Sequence, residues 1–200
     1  MNTYRSSFGW ARWVIATGVL GAVASFSGSA AALPLVGISA SIRGLYGAGL
    51  GDSQKVQASV NANQANSSKD WNPYAAGLGL RGGVTLLSIY AGASFDYFFA
   101  ETTHLEGIEI SGGRVQFMGN LGYELSLPLL TLRPLLGVGY AQTQIESDFG
   151  ADHSQQELVL APGAELMLSL GLVNVSGEVR YNFTSTADAM IVGIGAGISF

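Results

Sequence analysis

Ten ionisable side chains carry most of the chemistry this chain can offer. They are Arg43, Arg81, Arg114, Arg133 and Arg180, with Asp96, Glu124, Glu157, Glu165 and Glu178. All sit in segments that alternate apolar and polar residues, and all fall on the polar parity of their segment. Five positive and five negative charges would then share one enclosed space, where an unpaired ion is costly and pairing is expected. Glu124 and Arg133 lie symmetrically about the turn at Pro128, which sets them opposite one another on adjacent strands. Glu165 and Glu178 lie symmetrically about Gly171-Leu172. Two facing carboxylates need a cation between them, or one of the two protonated. Arg180, diagonal to Glu165, is the nearest cation by this count, and Arg114 is expected near a wet rim. Facing carboxylates also suit general acid–base catalysis. A salt-bridge plug, however, uses all ten residues at once, and is preferred to catalysis or a gated ion path.

Two other groupings contain reactive residue types. Asp152-His153-Ser154 holds the members of a catalytic triad, but consecutive residues do not aim their side chains at one another in triad geometry. The two histidines, His104 and His153, are both expected in solvated loops. Glu146, Asp148, Asp152 and Glu157 offer hard oxygen ligands of the kind Ca²⁺ takes, at a spacing that matches no defined loop motif. No catalytic residue, metal ligand or cofactor site is therefore assigned. Cysteine is absent, so there is no disulfide framework.

The elements that must hold the ten charges are strands. Met190 to Phe200 shows the pattern best: Met190, Val192, Ile194, Ala196, Ile198 and Phe200 alternate with small residues such as Gly193, Gly195, Gly197 and Ser199. A period of two is a strand with unlike faces. Seven more such segments precede it, about Val36–Leu50, Tyr74–Val84, Leu87–Ala100, Gly113–Leu127, Leu130–Gln144, Glu157–Leu170 and Val173–Thr184. Tight turns are expected near Val84-Thr85-Leu86, at Pro128 and at Gly171-Leu172. Long polar connections alternate with them: 52–72, an acidic loop Glu101–Gly112, and a second acidic loop Glu146–Gln156. Tyr46, Tyr74, Tyr97, Phe99, Tyr140, Tyr181 and Phe183 fall on the apolar parity near the long-loop end, as an aromatic girdle would. Apolar outside and charged inside describes an eight-stranded antiparallel up-and-down transmembrane β-barrel, whose interior side chains just fill. A soluble barrel with an apolar interior would need charges all round its exterior. Only 12% of residues are charged.

Length supports one domain. Arg5 and Arg12, the apolar run Trp13–Phe26 and the small residues Ser27 to Ala32 read as a secretory signal peptide, residues 1–32, cleaved after Ala32 or Ala30. The barrel then spans 33–200, with seven basic against fourteen acidic residues and net charge −7. That balance argues against nucleic acid. A closed barrel hides its own edges, so a monomer is expected.

The strand count, the terminal G-I-G-A-G-I-S-F, the inward Arg/Glu set and R-P-L-L-G-V-G-Y at Arg133–Tyr140 together resemble the OmpA/OmpX-like small outer-membrane barrels. The resemblance implies a surface-exposed monomer of the bacterial outer membrane, set among lipid and lipopolysaccharide. Phe200 is then the signal presented to the barrel-insertion machinery. It also implies roles in envelope integrity, adhesion or passage of small solutes. Three functions are weighed: a structural and surface-interaction barrel, which is preferred; a narrow channel or conduit for small solutes or hydrophobic compounds as its alternative; and, behind both, a lipid-modifying enzyme, so that no enzyme is expected. The outer connections carry Asp52, Asp70, Glu101, Glu106, Glu109, Glu146, Asp148, Asp152 and Asp188 against Lys55 and Lys69. That surface would attract a basic extracellular partner or divalent cations. No peptidoglycan-binding domain follows the barrel, which argues against wall anchoring.

Overall fold

The computed structural model describes residues 36–50, 74–105, 108–127, 129–147, 153–185 and 188–200, with the backbone alone at 100–105, 108–111, 145–147 and 153. The expected signal peptide and its cleavage site lie outside these residues.

Nine strand segments form one closed antiparallel sheet. They are β1 Val36–Leu50, β2 Ala76–Leu86, β3 Ile89–Leu105, β4 Ile108–Tyr123, β5 Leu125–Ser126, β6 Leu130–Ser147, β7 His153–Leu170, β8 Val173–Asn182 and β9 Asp188–Ser199. β5 continues β4 beyond Glu124, and both pair with β6 in one register: Gly122 faces Leu135 and Leu125 faces Leu132. The barrel therefore has eight staves. Neighbours in sequence are neighbours in the wall, and β1 closes on β9 with Arg43 opposite Gly195. Closure leaves no edge, which is what lipid demands of a sheet that crosses it.

The two faces are inverted relative to a soluble protein. Ile42, Leu78, Phe117, Leu121, Leu158 and Ile194 stand exposed on the outside, Ile194 at 76%. Arg43, Asp96, Arg114, Glu165 and Glu178 are buried inside. Such a wall is stable where its surroundings are apolar.

Several boundaries differ from the sequence expectation. The first tight turn is Leu87-Ser88, not Val84-Thr85-Leu86, because Leu86 pairs with Ile89. Leu87 and Ser88 take φ of 50° and 71°, the left-handed pair that a two-residue hairpin needs. Neither residue type advertises that conformation. The acidic loop Glu101–Gly112 is instead a hairpin arm: β3 reaches Leu105 and β4 starts at Ile108, with Thr102 opposite Ser111 and Thr103 opposite Ile110. β-Branched residues and continued pairing outweigh the acidic composition there. A register shift falls between Phe98 and Glu101, and on the other side of the arm β4 stays paired with β6 as far as Ile110 opposite Ser147. The second acidic loop shrinks likewise, since β6 reaches Ser147 and β7 starts at His153. His104 and His153 thus lie on strands, not in loops. β8 stops at Asn182, short of Thr184; beyond Gly163 opposite Arg180, only an isolated bridge joins Leu160 to Phe183. Pro162 sits in that gap without an N–H to donate.

Candidate functional site

The lumen is built in layers, and its floor lies at the short-turn end. Tyr90 projects inward from β3, with its ring over Gly83 and Gly92; a Cβ at Gly83 would lie 2.5–2.6 Å from that ring. Glycine at these two positions is the space the ring occupies. The Arg133 guanidinium stacks 4.0 Å from the Tyr90 centroid. Arg133 pairs with Glu124, and with Glu165 at 2.9 Å. Glu124 accepts a hydrogen bond from Thr85 Oγ1 at 2.8 Å, and its own N–H donates to the Ser88 carbonyl at 2.7 Å.

Above the floor the ions form one connected network. Glu165 and Glu178 face each other across β7 and β8. The cation between them is Arg81, reaching from β2 to Glu165 at 3.3 Å and Glu178 at 2.8 Å. Arg180, the cation expected there, turns instead to Asp96 at 2.5 Å and lies 3.8 Å from Glu178. It shares a strand with Glu178, so its reach is across the lumen rather than along the wall. Arg43 joins Asp96 at 2.6 Å to Glu178 at 2.7 Å. Glu124, Arg133, Glu165, Arg81, Glu178, Arg43, Asp96 and Arg180 are thereby linked, four charges of each sign.

Glycine makes these reaches short. Arg43 faces Gly79, and Gly79 faces Asp96, in one row across three strands. A Cβ at Gly79 would overlap Asp96 Oδ1 and stand 3.0 Å from Arg43 Nη2. Gly195, opposite Arg43 on β9, and Gly193, opposite Glu178, make the same allowance; a Cβ there would lie 2.9 Å from Arg43 Cγ or Glu178 Cγ. The inward glycines are filled by neighbouring side chains.

Further toward the long connections the lumen turns apolar. Leu45, Tyr74, Phe98, Ala189 and Ile191 form one cluster, and Met118, Ala141, Val159 and Ala161 a second. Above them Arg114 donates to Glu157 at 2.5 Å and to Thr143 at 2.9 Å. Ser185 also bonds Glu157, and Asn182 bonds Gln116 at 3.1 Å. Arg114 is not at a wet rim: it is 2% exposed and lies 4.5 Å from the centroid of the Tyr74 ring. Tyr74 is accordingly not part of the outer girdle. It precedes β2, so strand parity does not govern it, and its carbonyl accepts from Gly47 N–H at 2.6 Å while its ring packs edge-on to Phe98. The missed signal is Gly47, whose absent Cβ gives Tyr74 its place.

The ten residues singled out in the sequence lie within the barrel wall, eight of them linked by ion pairs and the other two, Arg114 and Glu157, paired with each other. The other expected girdle aromatics lie on the outer wall, where Tyr97 packs on Phe99 and Tyr181 on Phe183. Phe200 is exposed and pinned to β1 by reciprocal bonds with Ile38, 2.9 and 3.0 Å. Of the four acidic residues weighed as Ca²⁺ ligands, Asp148, Asp152 and the Glu146 side chain lie outside what the structure describes, and Glu157 pairs with Arg114. Among the described residues no group of acidic, histidine or cysteine side chains could hold a metal ion. Asp188 is engaged locally, accepting from Thr184 N–H at 3.0 Å and lying 3.4 Å from the Tyr181 hydroxyl.

A closed wall of eight antiparallel staves, apolar outside and ionic within, defines a small transmembrane barrel of the bacterial outer membrane. The chain belongs to the outer membrane protein beta-barrel domain family, matched over residues 19–200. Among solved structures it is similar to Ail, the attachment invasion locus protein of Yersinia pestis, with 17% identity, 84% of this chain, 100% of that one and a TM-score of 0.54. It is also similar to a major outer membrane protein of Thermus thermophilus, with 12% identity, coverage of 82% and 99%, and a TM-score of 0.52. Neisserial surface protein A gives 11% identity, coverage of 82% and 97%, and a TM-score of 0.50. At these identities the likeness is one of fold. No curated protein sequence matches the chain.

Proposed function

We propose that this barrel is a sealed scaffold of the outer membrane that presents its outer connections to the cell's surroundings. The observation that carries the reading is the network itself. Its eight ions reach inward from most of the wall and meet across the lumen, leaving no continuous row of unpaired charge among the described residues for an ion to follow. The filled positions beside the inward glycines weigh against a narrow conduit. Single-channel recording of the protein in planar bilayers, across a pH series, tests this. The expected result is silence. Stable openings that change with Glu165→Gln or Glu178→Gln would make the network a gate, and a channel would replace the scaffold.

The partner met by the surface follows from charge. One Ail structure holds a heparin analogue, sucrose octasulfate. The outer connections here are acidic, with nine carboxylates against two lysines, so a sulfated sugar would meet repulsion. A basic partner, or divalent cations bridging to lipopolysaccharide phosphates, suits them better. Binding of the intact protein to a polylysine surface should weaken as salt rises, while a heparin surface should retain none. Retention on heparin alone would reverse the assignment.

A further inference from the structure

The apolar outer face does not stop at the base of the barrel. It continues through all three tight turns: Leu86 and Leu87, Leu127 and Leu129, Leu170 and Leu172. Every one of the six is at least half exposed, Leu129 at 65%. Turns standing in water favour Gly, Asn, Asp, Ser and Pro. Leu87 is the plainest departure. Its φ of 50° lies in the left-handed region, where Asn or Gly is the residue of low cost and a leucine is strained.

The length of the apolar wall points the same way. On β7 the outward face is apolar from Leu158, which faces Tyr140 of the upper girdle, to Leu172 in the turn. At about 3.3 Å per residue and a strand tilt near 40°, its strand part, Leu158 to Leu170, rises roughly 30 Å, and Leu172 lies beyond that in the turn. The apolar band of an outer-membrane barrel is only about 25 Å tall. The upper limit is held by the girdle and by the polar Gln142 and Gln156 above it, so the excess falls at the turn end.

We infer that the leucine rim is a lipid-binding surface, with the acyl chains of the periplasmic leaflet rising around the turns and covering them. The occupant is lipid rather than protein because the rim is continuous with the wall that lipid already covers. Leaving six leucines in water would forfeit the burial that apolar surface gains. A wall longer than its bilayer is accommodated by tilt or by local thickening of the membrane. Here the rim is where the thickened leaflet would attach.

The absence of cysteine makes the test direct. Leu87→Cys, Leu129→Cys and Leu172→Cys are made singly in the full chain, with Ser154→Cys, exposed at the opposite end, as the aqueous control. Each folded variant is labelled with an environment-sensitive thiol fluorophore, in outer-membrane vesicles and in pure phospholipid vesicles. Lipids brominated within the acyl chain should quench the three rim labels and not the control. A charged, water-soluble maleimide should modify the control far faster than the rim. Rim thiols that react as fast as the control, with no lipid quenching, would overturn the inference. Protection present in outer-membrane vesicles but lost in pure lipid would assign the rim to a protein, and would overturn it too. Leu87→Asn supplies a second reading. A turn in lipid should lose stability, seen as a lower urea midpoint in vesicles. A turn in water should gain it, because asparagine relieves the strain, and a higher midpoint would overturn the inference.

Discussion

The lower and upper halves of the lumen solve one problem in two ways. Both bury charges in balanced number. In the lower half Glu178 touches three guanidinia, those of Arg43, Arg81 and Arg180, and most ions there have more than one partner. In the upper half Arg114 and Glu157 form one pair, set among Tyr74, Thr143 and Gln116. A buried ion that loses its partner carries a large desolvation penalty. Connectivity therefore decides the cost of a change, since removing a hub orphans several charges and removing one member of a pair orphans one.

The largest expected effect is at the hub. Glu178→Ala should cost about 3–5 kcal/mol of folding stability, read from urea unfolding in vesicles, and Glu157→Ala should cost less. Equal losses would break the comparison. The next effect comes from the spacing between ions. Gly79→Val would drive a side chain between Arg43 and Asp96 and should cost about 1–3 kcal/mol, the usual range for overpacking. Gly177 has nothing within 4 Å of the place its Cβ would take, so Gly177→Val should leave the midpoint nearly unchanged. Similar losses at the two glycines would show that the Arg43–Gly79–Asp96 row carries no special load.

The Arg114–Glu157 pair gives a sharper contrast. Arg114→Leu with Glu157→Leu should lie within about 1 kcal/mol of the parent, because an apolar pair replaces a buried ion pair at little net cost, while each single change orphans a charge. The double-mutant cycle should therefore show strong coupling. A double variant as unstable as the sum of the singles would mean that the pair is tied to the network below it.

How much of this was legible in the sequence depends on the direction of contact. Contacts between adjacent strands were readable, because a tight turn fixes the register. Glu124 opposite Arg133 and Glu165 opposite Glu178 follow from counting outward from Pro128 and Gly171-Leu172. Contacts across the lumen were not. Whether Arg81 or Arg180 reaches Glu165 depends on the stagger and tilt of the whole barrel, which no single turn encodes. Parity also fails where a residue leaves its strand, and so Tyr74, on the apolar parity, packs inside. The turn at Leu87-Ser88 was hidden because its residue types contradict its backbone. That contradiction becomes intelligible once the turn's surroundings are lipid.

The smallest expected effect sets the scale for the others. Asp188, the first residue of β9, is a carboxylate outside the lumen, bonded to Thr184 N–H in the β8–β9 connection and near the Tyr181 hydroxyl of β8. Asp188→Ala removes a charge and a local hydrogen bond, but water can reach the groups it leaves behind. The loss should be about 0.5–1.5 kcal/mol, the ordinary net worth of one hydrogen bond, measured in the same urea series. A loss as large as that of Glu178→Ala would mean that enclosure in the lumen is not what makes these carboxylates matter. A small loss would place the difference where the geometry does, in the number of guanidinia each carboxylate keeps paired away from water.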